Sequence, residues 1–430
     1  MRHLYLIGIG GVGMLWIADY ALQQGWQVSG SDVSDTAEIQ RLRAAGAAIH
    51  VGVDVQAIPA DITEVIITAA ITPTSPSYPE YQLFEERGLP ITKRAQWIGK
   101  LTKQYTTISV CGAHGKTTTT AMIGWILEYA GLDPTVFVGG SLAPWRGTRI
   151  GSSKYLVLES DEFDRSFHNF YPQTAVVLNI DLDHTDYYTK GLPEIEQAFR
   201  RFFRNLPTHT GIVVGYGRDG KVRKALKGFK YKFRWYDEEH LWPGITLPQP
   251  GMHNLLNATA AARVAHELGV SHEDIKKALA TFPGAGRRFE YLGSWNNAEL
   301  YDDYAHHPKE IQATLSGLRE KFPNEHITLV FQPHQKARTL ALLTEFGKAF
   351  NAHHPDVLIL APIYHVAGRE EGIEIESAAL AEKIRCPGME VKVPVNNDEL
   401  QAMVKVASND KGILMVMGAG NIRVLTESWR

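Results

Sequence analysis

Two short glycine loops constrain this chain more than any other feature, because each stands directly after an apolar strand-like run and directly before a helix-like run. The first, Gly8-Ile9-Gly10-Gly11-Val12-Gly13, follows HLYLI, and the second, Gly112-Ala113-His114-Gly115-Lys116-Thr117, follows YTTISVC. Strand, glycine turn and helix in succession form the unit from which parallel α/β sheets are wound, and the helix N-terminus behind the turn attracts anions. Two such units far apart in one chain predict at least two α/β domains, each able to hold a phosphate group.

The rest of the pattern agrees. Around the first loop, His3 to Gly10, Gln27 to Asp32, Ala47 to Gly52 and Glu64 to Ala70 read as strands separated by helical spacing. A second cycle runs through Tyr105 to Gly112, Tyr155 to Ser160, Thr174 to Ile180 and Gly211 to Tyr216, with a helix carrying Met122, Trp125, Ile126 and Tyr129. The stretch TFPGAGRR, Thr281 to Arg288, gathers glycine and proline after a helical segment and reads as a hinge. Beyond it come strands at Ala298 to Ala305, His326 to Pro333, Asp356 to Pro362 and Gly412 to Gly420. We therefore expect three α/β domains, at 1–100, 101–283 and 284–430, which suits a chain of 430 residues.

Composition removes several function classes. A net charge of −3 offers no broad basic field for nucleic acid or an acidic membrane. No apolar run reaches the roughly 18 residues that cross a bilayer, and the N-terminus enters a strand pattern at once, so a cytoplasmic protein without a signal peptide is expected. Cys111 and Cys386, the only cysteines, suit two reduced thiols and neither a disulfide framework nor a thiolate zinc site.

In the second loop the glycines let backbone N–H groups approach phosphate oxygens. Lys116 would neutralise the β and γ phosphates of ATP or GTP, and Thr117 would offer its hydroxyl to Mg²⁺. The loop is a shortened variant, since only Ala113 and His114 separate Gly112 from Gly115 where the usual motif has four residues. The strand before it, the helix after it and the threonine run Thr117 to Thr120 support the phosphate reading. The first loop satisfies the dinucleotide fingerprint, with Asp32 near the end of the next strand. Alone it suggests a nicotinamide-dependent dehydrogenase. Beside an ATP loop it suits equally a nucleotide-diphosphate substrate such as a UDP-sugar, and glycines of a purely structural turn are the plain alternative.

Acids cluster at strand ends. Glu159-Ser160-Asp161-Glu162-Phe163-Asp164 and Asp181-Leu182-Asp183-His184 follow consecutive strands of the central domain, where ligands of α/β sheets bind, and could hold Mg²⁺. In the last domain Asp302-Asp303-Tyr304-Ala305-His306-His307-Pro308 and Phe331-Gln332-Pro333-His334 stand ready for a second substrate. Their Asp and Pro neighbours, without further Cys or His spacing, argue against zinc.

The ordered set of motifs GIGGVGM (Gly8–Met14), GAHGKTTT (Gly112–Thr119), ESDEFD (Glu159–Asp164), DHTD (Asp183–Asp186), HNLLNA (His253–Ala258), RRFE (Arg287–Glu290), DDYAHHPKE (Asp302–Glu310), FQPH (Phe331–His334) and GAGNI (Gly418–Ile422) resembles the Mur ligase family over nearly the whole chain. It is most similar to the branch that joins L-alanine to UDP-N-acetylmuramate. The resemblance implies an N-terminal Rossmann-like domain for the UDP-sugar, held by Gly8, Gly10, Gly11, Gly13 and Asp32. It implies a central P-loop ATPase domain, with ATP at Gly112, Ala113, His114, Gly115, Lys116, Thr117, Thr118, Asn254, Asn257 and Arg288. Mg²⁺ would be served by Thr117, Glu159 and His184. A C-terminal Rossmann-like domain would face the amino acid with Tyr304, His306, His334 and Arg338, and the three domains would close together in the active state. Lys116, His184 and His334 are the implied catalytic groups, with His184, His306 and His334 as alternatives for the amine proton. No nucleic-acid or membrane partner is implied, and a monomer or weak homodimer is expected.

Gln335 and Lys336 follow FQPH where relatives usually carry arginine, and neither reproduces the planar fork with which arginine grips a carboxylate, so alanine specificity is the most exposed part of the expectation. Ser160 and Phe163 replace the commoner alanine and serine, as tolerable variants. Three rivals remain: a recycling ligase of the same family that attaches a preformed tripeptide, whose segment lacks FQPH; an oxidoreductase using only the first loop; and a sensor that binds UDP-muramic acid and ATP without joining anything.

Overall fold

The computed structural model describes residues 2–140, 142, 145–183, 187–365 and 372–429. Three sheets are wound in succession. The first contains β1 (His3–Ile7), β2 (Gln27–Asp32), β3 (Ala48–Val51), β4 (Glu64–Ile67) and β5 (Ile91–Lys93), ordered β3-β2-β1-β4-β5 with every pair parallel. The winding reverses at β1, so a crevice opens beyond the C-terminal ends of β1 and β4. The first glycine loop lies there, and a Cβ on Gly8 would meet Thr68, just past β4, at 3.3 Å.

The second sheet contains β6 (Thr106–Cys111), β7 (Thr135–Phe137), β8 (Thr148–Arg149), β9 (Tyr155–Glu159), β10 (Thr174–Val177), β11 (Ile212–Tyr216) and β12 (Lys232–Tyr236), ordered β12-β11-β10-β6-β9-β7-β8. Only β7 and β8 are antiparallel. The central strand β6 has β10 on one side and β9 on the other, both parallel to it. Their C-terminal ends therefore deliver the phosphate loop, the Glu159 acids and the Asn179–Asp183 segment to one edge.

The third sheet contains β13 (Glu290–Trp295), β14 (Ala298–Asp303), β15 (Ile327–Phe331), β16 (Val357–Leu360), β17 (Glu390–Lys392) and β18 (Gly412–Met417), ordered β13-β14-β18-β15-β16-β17. All pairs but β13 with β14 are parallel. Its strands are apolar on both faces, because successive side chains point to opposite sides and helices cover both. Leu329, Phe331, Met415 and Met417 join one core cluster, while Val330, Leu414 and Val416 join the other.

Packing divides the chain into two compact units. One holds Met1–Ile245 and Asn257–Leu279, the other Thr246–Leu256 and Ala280–Arg430, and the division runs inside the helix Met252–Glu267. Within the first unit the first two sheets share a continuous apolar cluster. The Trp16 ring stacks on Phe137 with centroids 5.5 Å apart, and its indole N–H donates to the Val138 carbonyl at 3.1 Å. An indole buried with its one donor satisfied contributes both area and orientation. Among the described residues, no helix is long and apolar enough to cross a membrane.

Candidate active site

The phosphate loop is shaped by two glycines that no other residue could replace without strain. Gly112 has φ of +138° and Gly115 φ of +84°, and Gly115 immediately precedes the helix Lys116–Tyr129. A Cβ on Gly115 would approach the Asn257 amide oxygen at 2.7 Å, and one on Gly112 would press on the Asn179 backbone at 3.0 Å. Asn179 also clasps the loop with its side chain, accepting from the His114 N–H at 2.9 Å and donating to the His114 carbonyl at 3.0 Å. The first turn of the helix, with Thr118 buried, has no acid and no side-chain cap, so its N–H groups face the loop mouth.

The chemistry-bearing side chains converge on this loop. Lys116 Nζ lies 2.8 Å from Glu162 Oε2 and 3.5 Å from Asp161 Oδ1. Burial works against its ammonium, but the carboxylates of Asp161 and Glu162 more than offset that and hold it above the ordinary lysine range. The Thr117 hydroxyl donates to Glu159 Oε1 at 2.9 Å, and the Gly139 N–H donates to the other oxygen at 2.6 Å. Burial pushes the Glu159 carboxyl above its usual range, against that N–H, Lys116 and Thr117. Below Glu159, Ser160 and Ser109 hydroxyls bond to one another in the buried layer, which explains why serine is tolerated at position 160. His184 lies outside the described residues.

Sequence reasoning quoted Glu162 only as one acid in a run, and passed over Asn179. The structure makes the first the direct partner of Lys116 and the second the brace of the loop. Nothing in spacing separates Glu162 from a solvated acid; only the fold buries it.

At the first glycine loop, the Gly10 N–H donates to Asp32 Oδ2 at 2.8 Å, so Asp32 fixes the loop itself. Gly11 caps the helix Val12–Gln23 without a side-chain bond, and both Gly11 and Val12 are open to solvent.

In the second unit, Tyr304, His306, His334 and Arg338 meet at the C-terminal edge of the third sheet. The guanidinium groups of Arg287 and Arg288 lie 4.9 and 5.2 Å from the Tyr304 ring centre. The His306 ring stands edge-on to Tyr304 at 5.4 Å and 5.9 Å from the His334 ring, which stacks on Tyr364 at 5.4 Å. Arg338 Nη1 is 3.5 Å from His334 Nδ1. His307 caps the helix Pro308–Lys321 in a capping box with Glu310, which also accepts from the His306 N–H. Gln335 takes a φ of +69° and donates its N–H to the Tyr364 carbonyl at 3.0 Å. Of the asparagines expected at ATP, Asn257 stands beside Gly115, whereas Asn254 belongs to the second unit and donates its amide to the Pro250 carbonyl at 2.7 Å. Arg288, also in the second unit, lies 3.9 Å from Glu310.

Comparison with known proteins accounts for this arrangement. Residues 3–106 match the Mur ligase family, catalytic domain; residues 110–242 match the Mur ligase middle domain; and residues 287–420 match the Mur ligase, glutamate ligase domain. The UDP-N-acetylmuramate–L-alanine ligase of Hydrogenovibrio crunogenus is 36% identical, over 100% of this chain and 98% of that one. The chain belongs to the Mur ligase family. Its three-domain α/β fold matches that of the UDP-N-acetylmuramate–alanine ligase MurC from Thermotoga maritima at a TM-score of 0.80 and 26% identity, covering 100% of this chain and 98% of the other. A murein peptide ligase from Psychrobacter arcticus shares the fold of this Mur ligase at a TM-score of 0.72 and 22% identity, again over 100% and 98%.

Proposed function

We propose that this Mur ligase joins L-alanine to the carboxylate of UDP-N-acetylmuramate, converting ATP to ADP and phosphate. The observation that carries the reading is the half-buried Lys116, Thr117 and Glu159 constellation on the phosphate loop, in a chain whose full-length relatives are named for this ligation. We assign residues 1–100 to the UDP-sugar, 101–283 to ATP and 284–430 to the amino acid, in a cytoplasmic monomer or weak homodimer.

A carboxylate is a poor electrophile, so its hydroxyl equivalent must first become a leaving group. An oxygen of the muramyl carboxylate attacks the γ-phosphorus of ATP, the bond to the β–γ bridging oxygen breaks, and ADP leaves an acyl phosphate. Lys116, drawn from Glu162 to the incoming phosphates, neutralises charge on the transferring group, and the open N–H groups of the helix behind it add to that field. The amino nitrogen of L-alanine then attacks the acyl carbon, the carbon–oxygen bond to phosphate breaks, and the nitrogen gives up a proton. We assign Tyr304, His306, His334 and Arg338 to the amino acid, with His334 and His306 as proton acceptors in reach of one another.

The oxygen pair of Thr117 and Glu159 suits Mg²⁺, a hard cation that completes its shell with water and phosphate rather than with a protein cage, and His184 is the third residue we assign to it. Bound there, Mg²⁺ would withdraw charge from the phosphate oxygens.

Attachment of a tripeptide is the second reading. FQPH at Phe331 to His334 and the relatives named for L-alanine favour the single amino acid. Isotope transfer tests the chemistry: with both carboxylate oxygens of the muramyl group labelled with ¹⁸O, the acyl-phosphate route places one label in the released phosphate and one in the amide. Phosphate free of label would refute it.

A further inference from the structure

The first glycine loop has a neighbour that its sequence surroundings do not reveal. Arg94 opens the helix Arg94–Thr102, directly after β5, and its side chain reaches back to the last glycine of the loop, Gly13. A Cβ on Gly13 would collide with Arg94 Nη1 and stand 2.9 Å from Arg94 Cδ, and the three nearest atoms all belong to Arg94. Gly13 is thus glycine to admit this guanidinium. The other terminal nitrogen, Nη2, lies 3.5 Å from the Ser166 hydroxyl, a weak contact at the limit of hydrogen bonding.

Arg94 is half-buried, yet among the described residues no carboxylate stands within ion-pair distance of it. Withdrawing a guanidinium from water without a counter-charge is unfavourable, so the site is built for an anion that arrives from outside. The same place carries a second attraction. The helix Val12–Gln23 begins at Gly11 with no side-chain cap and no acid in its first turn. Its positive dipole end and the guanidinium therefore reinforce one another. Asp32, the acid of the loop, is bonded to the Gly10 N–H.

We propose that Arg94 binds the diphosphate of the UDP-sugar, gripping it with its planar fork against the exposed start of the helix Val12–Gln23 at Gly11 and Val12. The proposal rests on the reading of the substrate given above. A diphosphate suits the site better than a lone carboxylate, since two adjoining anionic groups can meet the fork and the helix end together. Arg94 is accordingly a positioning residue that acts on substrate affinity rather than on the chemical step.

The test titrates UDP-N-acetylmuramate, UDP, uridine and ADP into the full chain, wild type and as Arg94→Ala, Gly13→Ala and the double variant, with thermal unfolding as a check on folding. Wild type binds UDP-N-acetylmuramate and UDP. Arg94→Ala weakens both about 10- to 100-fold, as loss of a charged hydrogen-bonding partner does, and leaves the affinity for uridine and for ADP little changed. Gly13→Ala, whose methyl group displaces the guanidinium, produces a similar loss, and the double variant is no worse than Arg94→Ala alone. Unchanged UDP affinity in Arg94→Ala, an equal loss for uridine, or additive losses in the double variant would each overturn the assignment. Wild-type binding of UDP without UDP-N-acetylmuramate would instead overturn the sugar and keep Arg94, whereas binding of neither would overturn both.

Discussion

Lys116 Nζ stands 2.8 Å from Glu162 Oε2, and the acid is almost wholly buried. On the proposed reading, the cation that would meet the nucleotide is thus held in place before any nucleotide arrives, and ATP would compete with a carboxylate for it. Removing either partner has different consequences. Lys116→Ala takes away the phosphate cation and leaves Glu162 buried beside fewer positive charges. We expect kcat to fall at least about 10²- to 10³-fold with UDP-sugar affinity intact, read by steady-state kinetics and titration. Glu162→Gln lowers the melting temperature of the nucleotide-free protein, because a half-buried cation loses the nearer of its two carboxylates. It also enlarges the stabilisation on adding Mg²⁺-ADP, because the phosphates no longer displace a carboxylate.

Gly115 offers a sharper test of the loop. Gly115→Ala forces a side chain into left-handed backbone and towards Asn257, so it should cost about 1–2 kcal/mol of stability and weaken ADP binding. Gly25 has a φ of +71° with nothing within 4 Å of its built Cβ, so Gly25→Ala supplies the control. It should show a comparable loss of stability, by thermal unfolding, with ADP affinity unchanged.

The second unit carries two titratable groups with opposite pH signatures. Burial, and then the Arg288 guanidinium, push the His253 ring down to about 4, with Glu310 acting the other way. The unfolded chain therefore takes up a proton near pH 6.5 that the folded one refuses until about pH 4. Stability from this residue is full above that window and is lost as pH falls through it. Burial pushes Asp303 up to about 6, against Arg288 and N–H donations from Ala305 and Phe289. Its contribution has the opposite sign, declining as pH rises from about 4 to 6. His253→Gln should flatten the acid loss of stability, and Asp303→Asn should steepen it, in denaturant titrations between pH 4 and 7.

Much of this was legible in advance. The strands β1, β4, β6, β10, β15 and β18 were readable because each is a buried parallel strand and so a nearly continuous apolar run, and each ends before the turn residues read with it; β2, with QVSGSD, was readable from its place in the alternation of strands and helices. The short strands β5, β7, β8 and β17 are too brief to show a period, and β13 carries an irregularity between Tyr291 and Gly293. β12, with KFRWY at a sheet edge, alternates basic and aromatic residues and gives no apolar run. The division inside the helix Met252–Glu267 could not be read, since helical periodicity continues across it and only packing separates Asn254 from Asn257. In the site, loop residues declared themselves through glycine and lysine spacing. Glu162, Asn179 and Arg94 did not, because their partners lie 46, 65 and 81 positions away in the chain, and no local pattern records which distant residue a fold will bring near.

The most direct test of the whole account is product formation with Mg²⁺-ATP and UDP-N-acetylmuramate, offering L-alanine, glycine, L-serine and the tripeptide separately and weighing the products by mass spectrometry. The account predicts an L-alanyl adduct formed fastest with L-alanine, with one ADP and one phosphate released per amide bond. Preferential attachment of the tripeptide, or ATP cleavage with no adduct from any of them, would contradict it.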